Sequence, residues 1–439
     1  MDGGLRIGTA VADITPQWPV MLHGYADRDR LSDGVIDPVY VRCLAISSSD
    51  RTVLLLTFDM IGIRAAEVAT IQDIIKVNSG VEYPDILLAC SHSHFAPALS
   101  VGMYLHPTLG LVEADPGFTE LVHSAVAFVV AMALSCRRPA SLSSYRVKVP
   151  ELLFNRRTIL PDGKVETNFR FPTGRSDLSF GRVDDELSVM RFTREHQRPA
   201  YMLNYGCHPV TGGADNEDDH YKVSSDYVHW IRKTTEEIAG ASVLFTLGAA
   251  GDAVPLDRYG YSRRMIGSTL ANAALLGGRK YSQPTTTPEL KSDAFNISVR
   301  TILRPGEFSE DTFTAIRQKV LTDRENPELK DRFGVILRSR HRDTMYPDGR
   351  FTIPIQILQI GEVILVALPF EVLSEFSLKM KSQFPRSMLV SCANGYEGYL
   401  PFAHEYERGG YEATERSTHF EIGTAEKVYN AVIKKLAQF

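Results

Sequence analysis

The sequence predicts an α/β protein in which mixed multi-stranded sheets are flanked by helices. Three observations predict it. Short aliphatic runs at 53–58 and 85–90 bracket a helical stretch at 65–77, and such a strand–helix–strand unit makes its two strands parallel. Runs at 353–360 and 363–368 flank Gly361-Glu362 and read as a hairpin. The strand at 85–90 and a further one at 201–205 each run into a histidine and then a proline turn, at Cys90-Ser91-His92 and at Gly206-Cys207-His208-Pro209.

With 439 residues there is ample chain for a large core, and the sequence reads as a single domain over 1–439. Hydrophobic residues at 44% and charged residues at 23% are the proportions of a soluble globular protein. A formal net charge of -5 and a pI near 6.2 argue against a nucleic-acid partner. Met1 to Arg6 has neither a basic n-region nor an apolar core, so no secretory signal is expected. The run Ala125 to Leu134 is too short to span a bilayer, so no transmembrane segment is expected either. Five scattered cysteines, Cys43, Cys90, Cys136, Cys207 and Cys392, read as reduced core thiols of a cytoplasmic protein.

Taken in order, Ile7 to Ala12 alternates as a strand, and Thr15-Pro16 turns the chain. Val39 to Ser47 and Arg51 to Phe58 are aliphatic strands; Asp59 then either orients a histidine of a neighbouring loop or caps the helix from Ala65. Helix Phe118 to Ser135 stops before Pro139, and Tyr145 to Val149 is a strand. The polar excursion from Pro161 to Gly181 and the segment 98–116 read as long loops that set substrate size. Ser224-Ser225-Asp226 caps a helix from Tyr227 to Ile238. Gly248 to Pro255 is a glycine-rich turn without the lysine of a phosphate loop, suited to close backbone approach to a site. Asp215 to His220 and the stretch 323–343 read as solvated charge. Gly277-Gly278 marks a loop, Ser309 starts a helix to Leu321, and Pro369-Phe370-Glu371 opens a helix to Phe384. The closing helix is Thr424 to Leu436.

The residues that carry chemistry cluster at strand ends. On an extended chain His92 and His94 project to one face, so both imidazoles reach one site; the alternative is two satisfied or exposed histidines. His208 occupies the same kind of setting, which points to a joint metal site; Cys207 beside it could be a nucleophile or a ligand but reads better as a small buried residue. Glu371 is either an ordinary first-turn glutamate or a carboxylate ligand. Arg156-Arg157 could hold an oxyanion, although Arg156, Arg157, Arg170 and Arg175 also fit a solvated surface.

Several motifs in a shared order resemble the catalytic domain of the neutral/alkaline (non-lysosomal) ceramidase family. They are Ala12 to Pro16, Ser91-His92-Ser93-His94 with Pro97, Asn155-Arg156, and Asn204 to Pro209 with Ser224-Ser225-Asp226. Gly251-Asp252 with Pro255, Ala367 to Glu371, Asn394 to Tyr399 and Tyr411-Glu412 complete the set. The resemblance implies a catalytic zinc held by His92, His208, Glu371 and Tyr399. Tyr399 is preferred to Tyr396 because the family's second active-site tyrosine lies twelve residues on, here Tyr411. It implies His94 as general acid/base, and Arg156 with Tyr411 as stabilisers of the tetrahedral oxyanion.

The departures from the family shape the expectation. The family's ceramidases usually carry a secretory or membrane-anchoring start and a carboxy-terminal immunoglobulin-like domain, and neither is expected here. His229 stands at a usual glycine, Phe95 at a small hydroxyl residue of the mouth, and Val254 at a serine proposed as nucleophile. A water route with Zn2+ is therefore expected, cleaving an N-acyl bond of a soluble small molecule. The alternatives are an ester, lactone or polar sugar-like substrate, or a non-catalytic binding homologue. A serine hydrolase would need Gly-x-Ser-x-Gly, which the sequence lacks.

Overall fold

The computed structural model describes residues 4–439 apart from 26–27, 29, 100–104, 107–109, 112–113, 212–216, 282, 303–308, 324–325, 327, 330–331, 334–335, 337–345, 347 and 416. Most of the predicted loop 98–116 and of the charged stretch 323–343, and part of the acidic loop 215–220, thus lie outside the described residues.

Two sheets stack face to face. The larger has eight strands in the order Ser242–Leu247, Ala200–Tyr205, Glu186–Arg194, Arg138–Lys148, Arg6–Asp13, Tyr40–Ser48, Arg51–Phe58 and Ile86–Cys90. The outermost pair at each edge is parallel, and the pairs between are antiparallel. The predicted strand–helix–strand unit is present: Leu54 pairs with Ile86 in parallel register, and the helix Ala65–Ser79 connects the two strands. The smaller sheet orders Leu290–Arg300, Arg350–Ile360, Val363–Ala367 and Ser387–Val390, and contains the predicted hairpin.

Side chains alternate across these strands, so the long apolar runs are buried on both faces. Leu44, Leu55, Leu87 and Met202 point into the layer between the sheets, against Leu358, Leu365 and Met388. Their neighbours Cys43, Ala45, Leu54, Leu56 and Leu88 point outward, into a core shared with Val122, Val126, Ile71, Ile231 and Ile266 from the covering helices. On the far side Ile353, Ile355 and Val366 pack against Phe376, Val428 and Val432. The result is a helix–sheet–sheet–helix arrangement, the mixed α/β class expected. The large sheet curls, so distant strands touch: Arg42 Nη1 donates to the Val243 carbonyl at 3.1 Å. That curl brings the ends of two non-adjacent strands, Cys90 and Tyr205, toward one another with their histidines.

Four local expectations change. Gly277-Gly278 is not a loop but lies inside the helix Ser262–Tyr281. A Cβ on Gly277 would sit 2.5 Å from Val147 Cγ2 and 3.0 Å from Tyr145 Cε2, so the glycine is there for close helix–strand contact. The strand expected from Tyr145 is longer, Arg138–Lys148, and admits Pro139 at its first turn of pairing. The helix after Pro369 starts only at Ser374, and Glu371–Val372 is a short strand parallel to Tyr399–Leu400. Asp59 neither caps the helix, whose N-cap is Arg64, nor touches a histidine; both its oxygens bind Arg232, and Oδ2 also accepts from Tyr40 N at 2.9 Å.

The apolar helix around Ala125 to Leu134 is Pro116–Ser135, and by length and composition alone it could cross a membrane. Its Val122, Val126, Val129 and Val130 are buried against the sheet.

Candidate metal centre

His92 leaves the edge strand through a left-handed backbone, φ +66°, which a residue with a Cβ adopts only where its surroundings hold it there. Ser91 N and His92 N donate to Phe58 O and Met60 O, both at 2.9 Å, so the loop stays tied to the neighbouring strand end. The extended geometry predicted for His-x-His is therefore absent, yet both imidazoles still converge. His208 is tied the same way, its N donating to Ala253 O at 2.9 Å.

Each ring has one nitrogen committed. His92 Nδ1 donates to Ile61 O at 2.7 Å and His208 Nδ1 to Ala250 O at 2.6 Å. A backbone carbonyl only accepts, so each Nδ1 carries the proton and each Nε2 presents a lone pair. Those two Nε2 atoms face each other at 3.1 Å, and Glu371 Oε2 lies 3.2 Å from both. All three residues are buried, and among the described residues Oε2 has no hydrogen-bond partner. Burial pushes His208 down to about 4, against the pull of Glu371. Three electron pairs converging in a dry site repel one another unless a cation sits among them. A proton can join only two of them. The donor set of two neutral imidazoles and a carboxylate, each oriented by a second hydrogen bond, fits a divalent metal such as zinc.

His94 is half-buried and differs from the other two. Its Nε2 is 3.3 Å from His92 Nε2, so all three imidazoles offer an atom within 4.8 Å of the others. Among the described residues its Nδ1 has no hydrogen-bond partner, so none of them fixes its tautomer. Burial, then His92 and His208, keep it neutral well below the usual histidine range. The ring packs over Gly24, where a Cβ would come within 2.4 Å of it.

The short parallel pairing of Glu371 with Tyr399 brings the predicted phenol to the same place. Tyr399 OH accepts from Arg156 Nη2 at 2.9 Å. Tyr411 is half-buried at the rim, its ring 5.7 Å from that of Tyr399 and 5.9 Å from Arg156 Cζ. The structure thus brings together all seven residues singled out in the sequence. Arg156 and Arg157 are not surface residues: both are buried, and Glu412 lies between them, accepting from Arg156 Nε at 2.6 Å and Arg157 Nη1 at 2.8 Å. Arg175 is exposed and paired with Asp177, as a solvated surface requires. Phe95 is buried beneath Arg28 and Tyr25 rather than lining the mouth.

Sequence reasoning gave no role to Glu412 or Tyr396. Tyr396 OH donates to Glu371 Oε1 at 2.7 Å. The only signal for either was its place in a matched motif. The glycine-rich turn does approach the site as expected: a Cβ on Gly251 would sit 2.6 Å from Glu371 O. A second cluster, Glu375, His404 and Glu405, also offers three donors within 4.8 Å of one another. It is already paired with Lys379, Arg157 and Arg408, and of the three only His404 is exposed.

No family model matches the chain, and no curated protein matches it in sequence. Solved structures do. The fold is that of neutral ceramidase structures. The crystal structure of neutral ceramidase from Pseudomonas aeruginosa superposes with a TM-score of 0.75 at 18% identity, covering 99% of this chain and 74% of that one. A ceramidase complexed with C2 gives 0.74 at 17% identity, covering 98% and 74%.

Proposed function

We propose that this chain is a zinc-dependent amide hydrolase that cleaves an N-acyl bond of a soluble small molecule with water. One observation carries the reading: two bare Nε2 atoms and an unpartnered carboxylate oxygen meet within 3.2 Å in a buried site. His92, His208, Glu371 and Tyr399 would hold the ion. Zinc so held supplies Lewis acidity toward a carbonyl oxygen and toward water. The fold shared with neutral ceramidases supports amide chemistry as the reaction class.

The chain's own residues divide the remaining work. His94, with a free Nδ1 and an unfixed tautomer, takes the proton of the attacking water and returns it to the leaving nitrogen. Arg156 stays charged in its buried setting and, with the Tyr411 hydroxyl at the rim, stabilises the oxyanion of the tetrahedral intermediate. Val254 is buried against Phe154 and Val210 and offers no nucleophile, which favours direct attack by water. Five free thiols accord with a reducing, cytoplasmic setting.

The test is zinc content of the purified protein beside His208→Ala and Glu371→Ala, followed by hydrolysis of soluble N-acyl compounds and of ceramide. About one zinc per chain, lost in both variants, with turnover of the soluble compounds, is the expected result. A wild-type protein that takes up no metal overturns the catalytic reading. Turnover of ceramide alone overturns the substrate class.

A further inference from the structure

We infer that Tyr396 is a positioning residue of the metal centre, and that Gly62 is free of a side chain in order to seat it. The inference rests on the metal reading above and concerns how the carboxylate ligand is aimed.

Glu371 has two oxygens and only one is aimed at the histidines. Oε1 is occupied by Tyr396 OH at 2.7 Å, which leaves Oε2 at 3.2 Å from both Nε2 atoms. Without that hydrogen bond the carboxylate could rotate about its last torsion, a broad and soft one, and present either oxygen or neither. A ligand fixed by a second hydrogen bond loses less freedom on binding metal. Tyr399 oxygen accepts from Arg156, whereas Tyr396 oxygen donates to a carboxylate. A phenol that donates keeps its proton. Burial and the adjacent Glu371 both raise Tyr396 well above the usual tyrosine range, in keeping with that.

The ring itself is seated by a close approach. An added Cβ at Gly62 would lie 2.4 Å from Tyr396 Cγ and 2.6 Å from its Cβ, so any other residue displaces the ring. The Gly62 backbone is not in the left-handed region, so its absence of side chain serves contact and not conformation. The residue before it, Ile61, supplies the carbonyl that orients His92. Ile61-Gly62 therefore aims two donors: His92 directly, and Glu371 through Tyr396.

The experiment measures zinc dissociation constants by competition with a chromophoric chelator, for wild type, Tyr396→Phe and Gly62→Ala, and records the visible spectrum of each after copper(II) loading. Tyr396→Phe, which removes one oxygen, should weaken zinc about 10- to 100-fold while keeping any tyrosinate-to-copper band. Gly62→Ala should weaken zinc in the same direction with every polar group intact. Unchanged affinity in Tyr396→Phe, with wild type binding zinc, overturns this inference alone. Loss of a wild-type tyrosinate band in Tyr396→Phe makes Tyr396 a ligand and overturns it too. Unchanged affinity in Gly62→Ala overturns the seating role. No zinc uptake by wild type overturns both this and the metal reading.

Discussion

Glu412 holds Arg156 by its Nε at 2.6 Å, leaving Nη2 free to reach the Tyr399 oxygen. The same carboxylate binds Arg157, and it is fully buried. Removing its charge leaves two guanidiniums facing each other in a dry interior. Glu412→Gln should cost about 3 kcal/mol or more of stability and cut turnover further than it cuts zinc content. Urea unfolding and metal content check this; an unchanged unfolding midpoint would show that water compensates the arginines.

Asp59 and Arg232 form a second closed pair, almost without solvent contact. Asp59→Ala should lose about 3–5 kcal/mol, because Arg232 stays buried with no counter-charge. The double replacement Asp59→Leu with Arg232→Met should recover much of that loss. If the double variant is as unstable as the single, the penalty lies in the lost Tyr40 N bond instead.

His229 gives a pH dependence. Burial, then Lys233 and Arg232, push its folded pKa down from 6.5 to about 4. The unfolded chain therefore takes up this proton first as the solution is acidified. The stability it contributes is complete above pH 6.5 and is lost as pH falls toward about 4. Unfolding midpoints of wild type and His229→Asn, compared near neutrality and at about pH 5, should show a shallower acid loss in the variant. Parallel losses would mean that His229 titrates normally.

Gly277 tests helix propensity against contact. Alanine favours a helix over glycine by about 1 kcal/mol. Here its Cβ would meet Val147 at 2.5 Å. Gly277→Ala should therefore destabilise, by about 1–3 kcal/mol, and a stabilised variant would show that the helix shifts freely on the strand.

The parts of this protein that sequence made visible are those written locally. Aliphatic runs such as Leu54 to Phe58 and Ile86 to Cys90 read as strands because both their faces are buried. His92 and His208 stood out because each ends such a run, although the left-handed turn at His92 is set by contacts with Phe58 and Met60 that no local pattern encodes. Glu371 was placed in a helix because Pro-Phe-Glu resembles a first turn. Its real conformation is set by pairing with Tyr399 and by the Glu371 N bond to Gly398 O. Arg157 looked like surface for the same reason: its partners Glu405 and Glu412 lie 248 and 255 positions away. The helix Ser262–Tyr281 is hidden in the sequence by its paired glycines, and the purpose of Gly277 is visible only against Tyr145 and Val147.

The donors of the candidate centre are scattered along the polypeptide: His92 and His208 stand 116 positions apart, and Glu371 and Tyr399 follow far downstream. A ribosome must therefore release most of the protein before the last donor exists, and both sheets must have docked before the four can meet. On the metal reading proposed above, ion capture is a late event in maturation, and a molecule that carried its ion would certify that its distant segments have assembled. If the protein holds such an ion, chelation should loosen contacts between remote parts of the chain together, which hydrogen exchange would register as a loss of protection spread over both sheets.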